Sequence, residues 1–296
     1  MVSETWLNII GISLGLLSYL LLYLGKGIQK WAIEGFKDVI NEKEIKKSAK
    51  TKKQGKNSLV WIIGTILTTG FMFLQWVPLS PPFNIEPNKI APLEGFGLIV
   101  LLIFSYFVLK EKINKIEIAG ACLIIVGIVL INLVVTNSST PTLEEINFTS
   151  FWVSFGVIFF IEILGILVLL LIVKNQRWSG ILIAVFAGTC MAWQTISKTM
   201  SGIDGIRLIF TFVVFIFGIT TLALTQWAFT KIQANLVVPL FTSTSILLTA
   251  ILGFFIMGDQ IGPIQIVGIG IIIIGVVLIS AFEKPTDLKD GIEISS

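Results

Sequence analysis

Residues 88–93 read NKIAPL and residues 235–240 read NLVVPL, an offset of about 147 residues and an internal repeat. Outward from there the match continues. LKEKI at 109–113 faces MGDQI at 257–261, then Gly120 pairs with Gly268 and Gly127 with Gly275, now at an offset of about 148. Each copy is an apolar helix, a short charged turn and a second apolar helix.

The solvent is legible in the composition. The chain is 55% hydrophobic and 13% charged over 296 residues, with no histidine. Nine apolar runs, each about 20 residues and so long enough to cross hydrocarbon, fall at 6–25, 58–79, 90–109, 116–135, 151–173, 179–199, 207–230, 236–257 and 263–282. The fold class expected is an all-α polytopic membrane protein of nine transmembrane helices, four plus five. An odd number of crossings separates the copies, so the second copy is inverted, as in transporters with alternating access. The units expected are a first half (1–135) with a cytoplasmic basic loop (36–57), an external linker (136–150), a second half (151–282) and a cytoplasmic tail (283–296).

Lysines set the orientation. Lys26, Lys30, Lys37, Lys43, Lys46, Lys47, Lys50, Lys52, Lys53 and Lys56 form one basic segment after the first span. That side reads as cytoplasmic, with the N-terminus outside and the C-terminus inside. No positive region precedes the first span, so it is not read as a signal peptide. The formal net charge of +3 reflects these lysines and does not point to nucleic acid. Helices three and four match eight and nine, so the second half carries one extra helix. Either the first half lacks its opening helix, or residues 27–57 hide a surface remnant of it, with Ile33, Phe36 and Ile40 at helical spacing. A solvated basic extension of helix one is the alternative.

Without histidine or paired cysteines there is no zinc, haem or iron–sulfur signature, and Cys122 and Cys190 lie inside apolar runs. No nucleophile elbow or phosphate loop is present either, so no enzyme and no cofactor are expected. The remaining polar residues suggest a path. Glu162 sits midway along helix five, where a bare carboxylate costs about 2.5–3.5 kcal/mol, so it is paired, protonated or facing water. Glu94 is the second intramembrane carboxylate. The two together suit a divalent cation, since magnesium takes oxygen ligands. Pro92 and Pro239 stand at matching points of helices three and eight, as a paired helix break would. Gln194, Lys198, Gln226, Asn235 and Thr242 add polar groups to helices six to eight. Glu111 and Asp259 occupy equivalent turns, where each is expected to cap the helix that follows.

SYFVLKEKIN (105–114), followed by Gly120 and Gly127, resembles the end of a repeat in the drug/metabolite (EamA-like) transporter superfamily. QWAFTKIQANLVVPL (226–240), Trp61 and Gly64 are similar to NIPA-type magnesium transporters. Glu94 and Gly95 depart from that pattern, where small residues usually follow the first proline–leucine, and 80–87 (SPPFNIEP) looks inserted. The resemblance implies a multi-pass plasma-membrane transporter whose partners are the lipid bilayer and a small cation or small-molecule substrate. Magnesium is then its substrate. The alternative is a proton-coupled exporter of small metabolites such as amino acids or nucleoside-like compounds. A homodimer is compatible with either.

Overall fold

Where backbone groups cannot bond to water, an apolar run closes its own hydrogen bonds, and among the described residues these runs are helical. The structure is a computed structural model that describes residues 4–41, 47–79, 93–111, 113–133, 143–168, 171, 175–203, 205–258 and 261–282. Its helices are α1 (Glu4–Asn41), α2 (Lys47–Leu79), α3 (Leu93–Phe104), α4 (Lys115–Leu133), α5 (Phe148–Val168), α6 (Gln176–Met200), α7 (Arg207–Lys231), α8 (Ala234–Leu252) and α9 (Pro263–Phe282). Each of the nine apolar runs coincides with one of them. Among the described residues, five helical segments are long and apolar enough to cross a membrane: Trp6–Lys37, Phe148–Val168, Gln176–Met200, Arg207–Lys231 and Ala234–Met257. Leu93–Leu109 and Pro263–Ile279 are shorter apolar helices.

The lipid-type surface is visible in what is left outside. Phe160, Leu208, Phe212 and Ile219 are exposed, while Ser18, Gln29, Lys30, Thr225 and Asn235 are buried. A soluble protein sorts these residue types the other way.

α1 packs on α2, and α6 on α7; α1 packs on α3, and α6 on α8; α4 packs on α9. Glycines set these contacts. A Cβ on Gly120 would lie 2.8 Å from the Gly275 carbonyl, and one on Gly127 would lie 2.7 Å from that of Gly268. As the number rises on α4 it falls on α9, so the two helices run antiparallel at backbone contact. Gly25 and Gly64 make the same kind of contact between α1 and α2. α5 is attached differently, by rings rather than backbones. Phe151 and Phe155 meet Trp193 of α6 edge-on, with centroids 5.2 and 5.3 Å apart.

α3 and α8 end alike. α3 runs into a π-helical turn (Ser105–Leu109) closed by left-handed Lys110 (φ 56°). α8 runs into another (Gly253–Met257) closed by left-handed Gly258 (φ 71°). A wide turn of this kind is rare and is frequent at functional sites.

Three expectations change. α1 does not end near residue 25 but is a 38-residue helix, about 57 Å long at 1.5 Å per residue. Residues 36–57 are helical at both ends, since α1 reaches Asn41 and α2 starts at Lys47. Pro239 does not end α8: the helix runs on through it, without the backbone bond that its N–H would have made to the Asn235 carbonyl. Pro92, Asp259 and the linker and tail residues 136–142 and 283–296 lie outside the described residues.

Candidate functional site

Tyr19, Tyr23, Lys26 and Lys30 recur every three or four residues, which lines them along one face of α1. That face is turned into the bundle. All four are buried, Lys26 with only 4% of its surface exposed. Gly97 of α3 leaves the room in which the Tyr23 ring sits.

Around Tyr23 and Lys26 three helices meet. The Tyr23 hydroxyl donates to Glu94 Oε1 of α3 at 3.1 Å and shares a 2.9 Å hydrogen bond with Thr242 Oγ1 of α8. Glu94 stands in the first turn of α3, where the helix presents its positive end. Lys26 Nζ lies 3.3 Å from the centroid of the Phe241 ring, the residue before Thr242. Lys26 and Glu94 are close enough to interact electrostatically. Lys30 pairs with Glu34 at 3.4 Å, and no ion-pair contact closes Lys26 on Glu94.

Beside this cluster lies a second polar network. Gln226 Nε2 of α7 donates to Gln29 Oε1 at 2.6 Å, and Trp61 Nε1 donates to Gln226 Oε1 at 3.0 Å. Gln29 Nε2 in turn donates to Thr65 Oγ1. The network borders a cleft of about 340 Å³ lined by Ile33, Phe36, Ser58, Trp61, Trp227 and Thr230.

The α7–α8 corner is clamped from the other half. Lys30 Nζ donates to the carbonyls of Phe229 and Ile232, each at 2.9 Å, and Lys37 Nζ to that of Thr230 at 2.6 Å. Cations at a helix C-terminus satisfy its orphan carbonyls. Glu111 accepts the N–H groups of Ala234 (2.8 Å) and Asn235 (3.1 Å) at the start of α8. Burial pushes the Glu111 carboxyl up, against the pull of those N–H groups and of Lys30. This corrects the expected role: Glu111 caps α8, in the second half, and not the helix that follows it. α4 has its own acid, Glu117, which accepts from Asn114 N at 3.3 Å and from Asn235 Nδ2 at 2.9 Å.

The expected path residues are thus divided. Glu94 joins the α1/α3/α8 cluster. Gln226 belongs to the network with Gln29, and Asn235 to the clamp, where its Oδ1 is buried with no partner in the structure. Gln194 Nε2 donates to Val214 O of α7 at 3.3 Å. Lys198 is half-buried near the end of α6. Glu162 faces α6, where it accepts a short hydrogen bond from Thr189 Oγ1, and its Oε2 is buried without a partner. Glu94 and Glu162 therefore stand on separate helix interfaces. No group of three or more potential ligands among His, Cys, Asp and Glu occurs among the described residues.

Tyr23 and the buried position of Lys26 were not anticipated. Lys26 opens a lysine-rich stretch, so charge counting assigns it to the cytoplasm. The signal against that is its spacing from Tyr19 and Tyr23, which continues the inward stripe of α1.

No family model matches the chain, and no solved structure matches it. Over 82 residues it is 35% identical to the quaternary ammonium compound-resistance protein QacC of Staphylococcus aureus, which covers 27% of this chain and 74% of that protein. Over 81 residues it is 37% identical to QacG of Staphylococcus sp. (strain ST94), covering 27% of this chain and 73% of that protein.

Proposed function

The chain belongs to the family of the quaternary ammonium compound-resistance proteins, and from that premise we propose that it is a membrane transporter of small organic ammonium compounds. Their binding place is the Tyr23–Lys26–Glu94–Phe241–Thr242 cluster, where α1 and α3 of one half meet α8 of the other. A single observation carries this: a carboxylate, Glu94, bonded to the Tyr23 hydroxyl, which also bonds Thr242 of the other half. A half-buried carboxylate hydrogen-bonded to a tyrosine is the chemistry that receives an organic ammonium.

Alternating access by an inverted repeat is part of the proposal. The antiparallel α4–α9 contact supports it, because helices related by an axis in the membrane plane run in opposite senses. The matching π-turns after α3 and α8 support it too. In that scheme the Lys30 and Glu111 clamp holds the inner end of the path shut, since it ties the α7–α8 corner to the first half.

The divalent-cation reading draws on the NIPA-like segments and would use Glu94 and Glu162 as ligands. Because those carboxylates stand on separate interfaces, the organic ammonium reading is preferred. Flux into proteoliposomes separates the two. Labelled choline and methylammonium should enter down an imposed proton gradient, and excess magnesium should not compete. Magnesium uptake without ammonium uptake would overturn the proposal.

A further inference from the structure

The cleft between α1, α2 and α7 takes no part in the Glu94 cluster. Its walls are apolar, built from Ile33 and Phe36 of α1, Trp61 of α2 and Trp227 of α7, and its volume of about 340 Å³ is that of a small-ligand pocket. The helices that form it fix its depth. The apolar span of α1 ends at Lys37 and that of α7 at Lys231, each next to a lining residue, Phe36 and Thr230. The cleft therefore opens where hydrocarbon gives way to headgroups, the level that tryptophan and lysine favour. Both lysines stand at its rim. Lys37 Nζ donates to the Thr230 carbonyl at 2.6 Å. Lys231 Nζ lies 5.8 Å from the centroid of the Trp227 ring and donates to Gln176 Oε1 at 2.8 Å. An ammonium carries three N–H groups, and these bonds take one from each lysine. Glu34, one turn before Lys37, is paired with Lys30 at 3.4 Å. Lys52, Lys53 and Lys56 are exposed on the first turns of α2, just ahead of the lining residue Ser58.

We propose that this cleft binds an anionic phospholipid of the inner leaflet, with an acyl chain against Phe36, Trp61 and Trp227 and the headgroup phosphate at Lys37 and Lys231. An apolar cleft with a cationic rim at headgroup depth matches a molecule that is apolar along its length and anionic at one end. A free phosphate would use the lysines but not the rings, and a neutral lipid would use the rings but not the lysines. Lys52, Lys53 and Lys56 add a field that draws anionic lipid toward the opening. The site is separate from the Glu94 cluster, so it stands or falls independently of what the protein transports. It rests on the membrane reading and on the basic segment facing the cytoplasm.

The test reads Trp227 fluorescence as the difference between the full wild-type chain and Trp227→Phe, both in phosphatidylcholine vesicles. A minor fraction of the lipid carries bromine on its acyl chains, as either phosphatidylglycerol or phosphatidylcholine. Brominated phosphatidylglycerol should quench the Trp227 signal at least about twofold more than brominated phosphatidylcholine at the same fraction, because the lysines enrich it there. Lys37→Gln combined with Lys231→Gln should bring the two lipids level, while Lys37→Arg combined with Lys231→Arg should keep the excess. Equal quenching by the two lipids in the wild-type chain would overturn the proposal, whether or not the Gln pair folds. An excess that survives in the folded Gln pair would also overturn it, since that is diffuse attraction by the basic segment and not a site. An excess abolished by inorganic phosphate at constant ionic strength would make the rim a site for free phosphate, and the lipid would be wrong.

Discussion

Gly120 of α4 and Gly275 of α9 meet backbone to backbone: a Cβ on either would come within 2.8 Å of the other's carbonyl oxygen. This contact and its counterpart, Gly127 with Gly268, join the two halves. Ile279 Cγ1 and Ile124 Cγ1 also crowd Gly120 and Gly275, but the carbonyl oxygens are main chain and cannot swing away. Gly120→Ala should therefore destabilise the protein by about 1–3 kcal/mol, read as a lower melting temperature in detergent. Gly270→Ala, on α9 but with nothing within 4 Å, is the control and should change little. Equal melting temperatures would mean that the α4–α9 contact is not structural.

The Glu111 cap gives a second prediction. Its removal leaves two buried N–H groups of α8 without acceptors, so Glu111→Ala should cost about 2–4 kcal/mol. Glu111→Gln keeps one acceptor and should cost less. Burial raises the folded-state carboxyl above its ordinary 4.5, so its linked contribution is full below 4.5 and is lost as pH rises through the folded value. The stability difference between wild type and Glu111→Gln should accordingly shift in favour of wild type as pH falls toward 4.5. A difference independent of pH would contradict the buried cap.

Much of the fold was readable because hydrocarbon imposes one rule, that apolar runs become helices, and among the described residues each of the nine runs lies on one. LKEKI and MGDQI fall where α3 and α8 each pass through a π-turn into a left-handed residue. The site was less legible, for a physical reason in each case. Lys26 looks cytoplasmic because its charge counts toward the basic segment, whereas its direction depends on the phase of α1. Glu111 looks like a local cap because sequence reveals only neighbours, and its partners Ala234 and Asn235 are brought to it by tertiary packing. Glu162 was singled out for its cost in lipid. The structure gives it a bond to Thr189 but does not bring it to Glu94.

Orientation gives the next prediction. In a background lacking Cys122 and Cys190, a cysteine at position 50 should react with membrane-impermeant maleimide only after cells are opened. A cysteine at position 139 should react in intact cells. Labelling of position 50 from outside would reverse the orientation but not the antiparallel α4–α9 contact.

The most direct measurement compares Glu94→Gln with Glu162→Gln in the same proteoliposomes, with the same labelled ammonium substrate and protein amounts matched by folded fraction. A path through the α1/α3/α8 cluster predicts that Glu94→Gln lowers flux at least about tenfold, a loss of at least about 1.4 kcal/mol of binding or transition-state stabilisation. Glu162→Gln, whose amide can still accept from Thr189, should keep flux within about twofold of wild type. Full flux in Glu94→Gln together with collapse in Glu162→Gln would move the path to the α5/α6 interface and contradict the account.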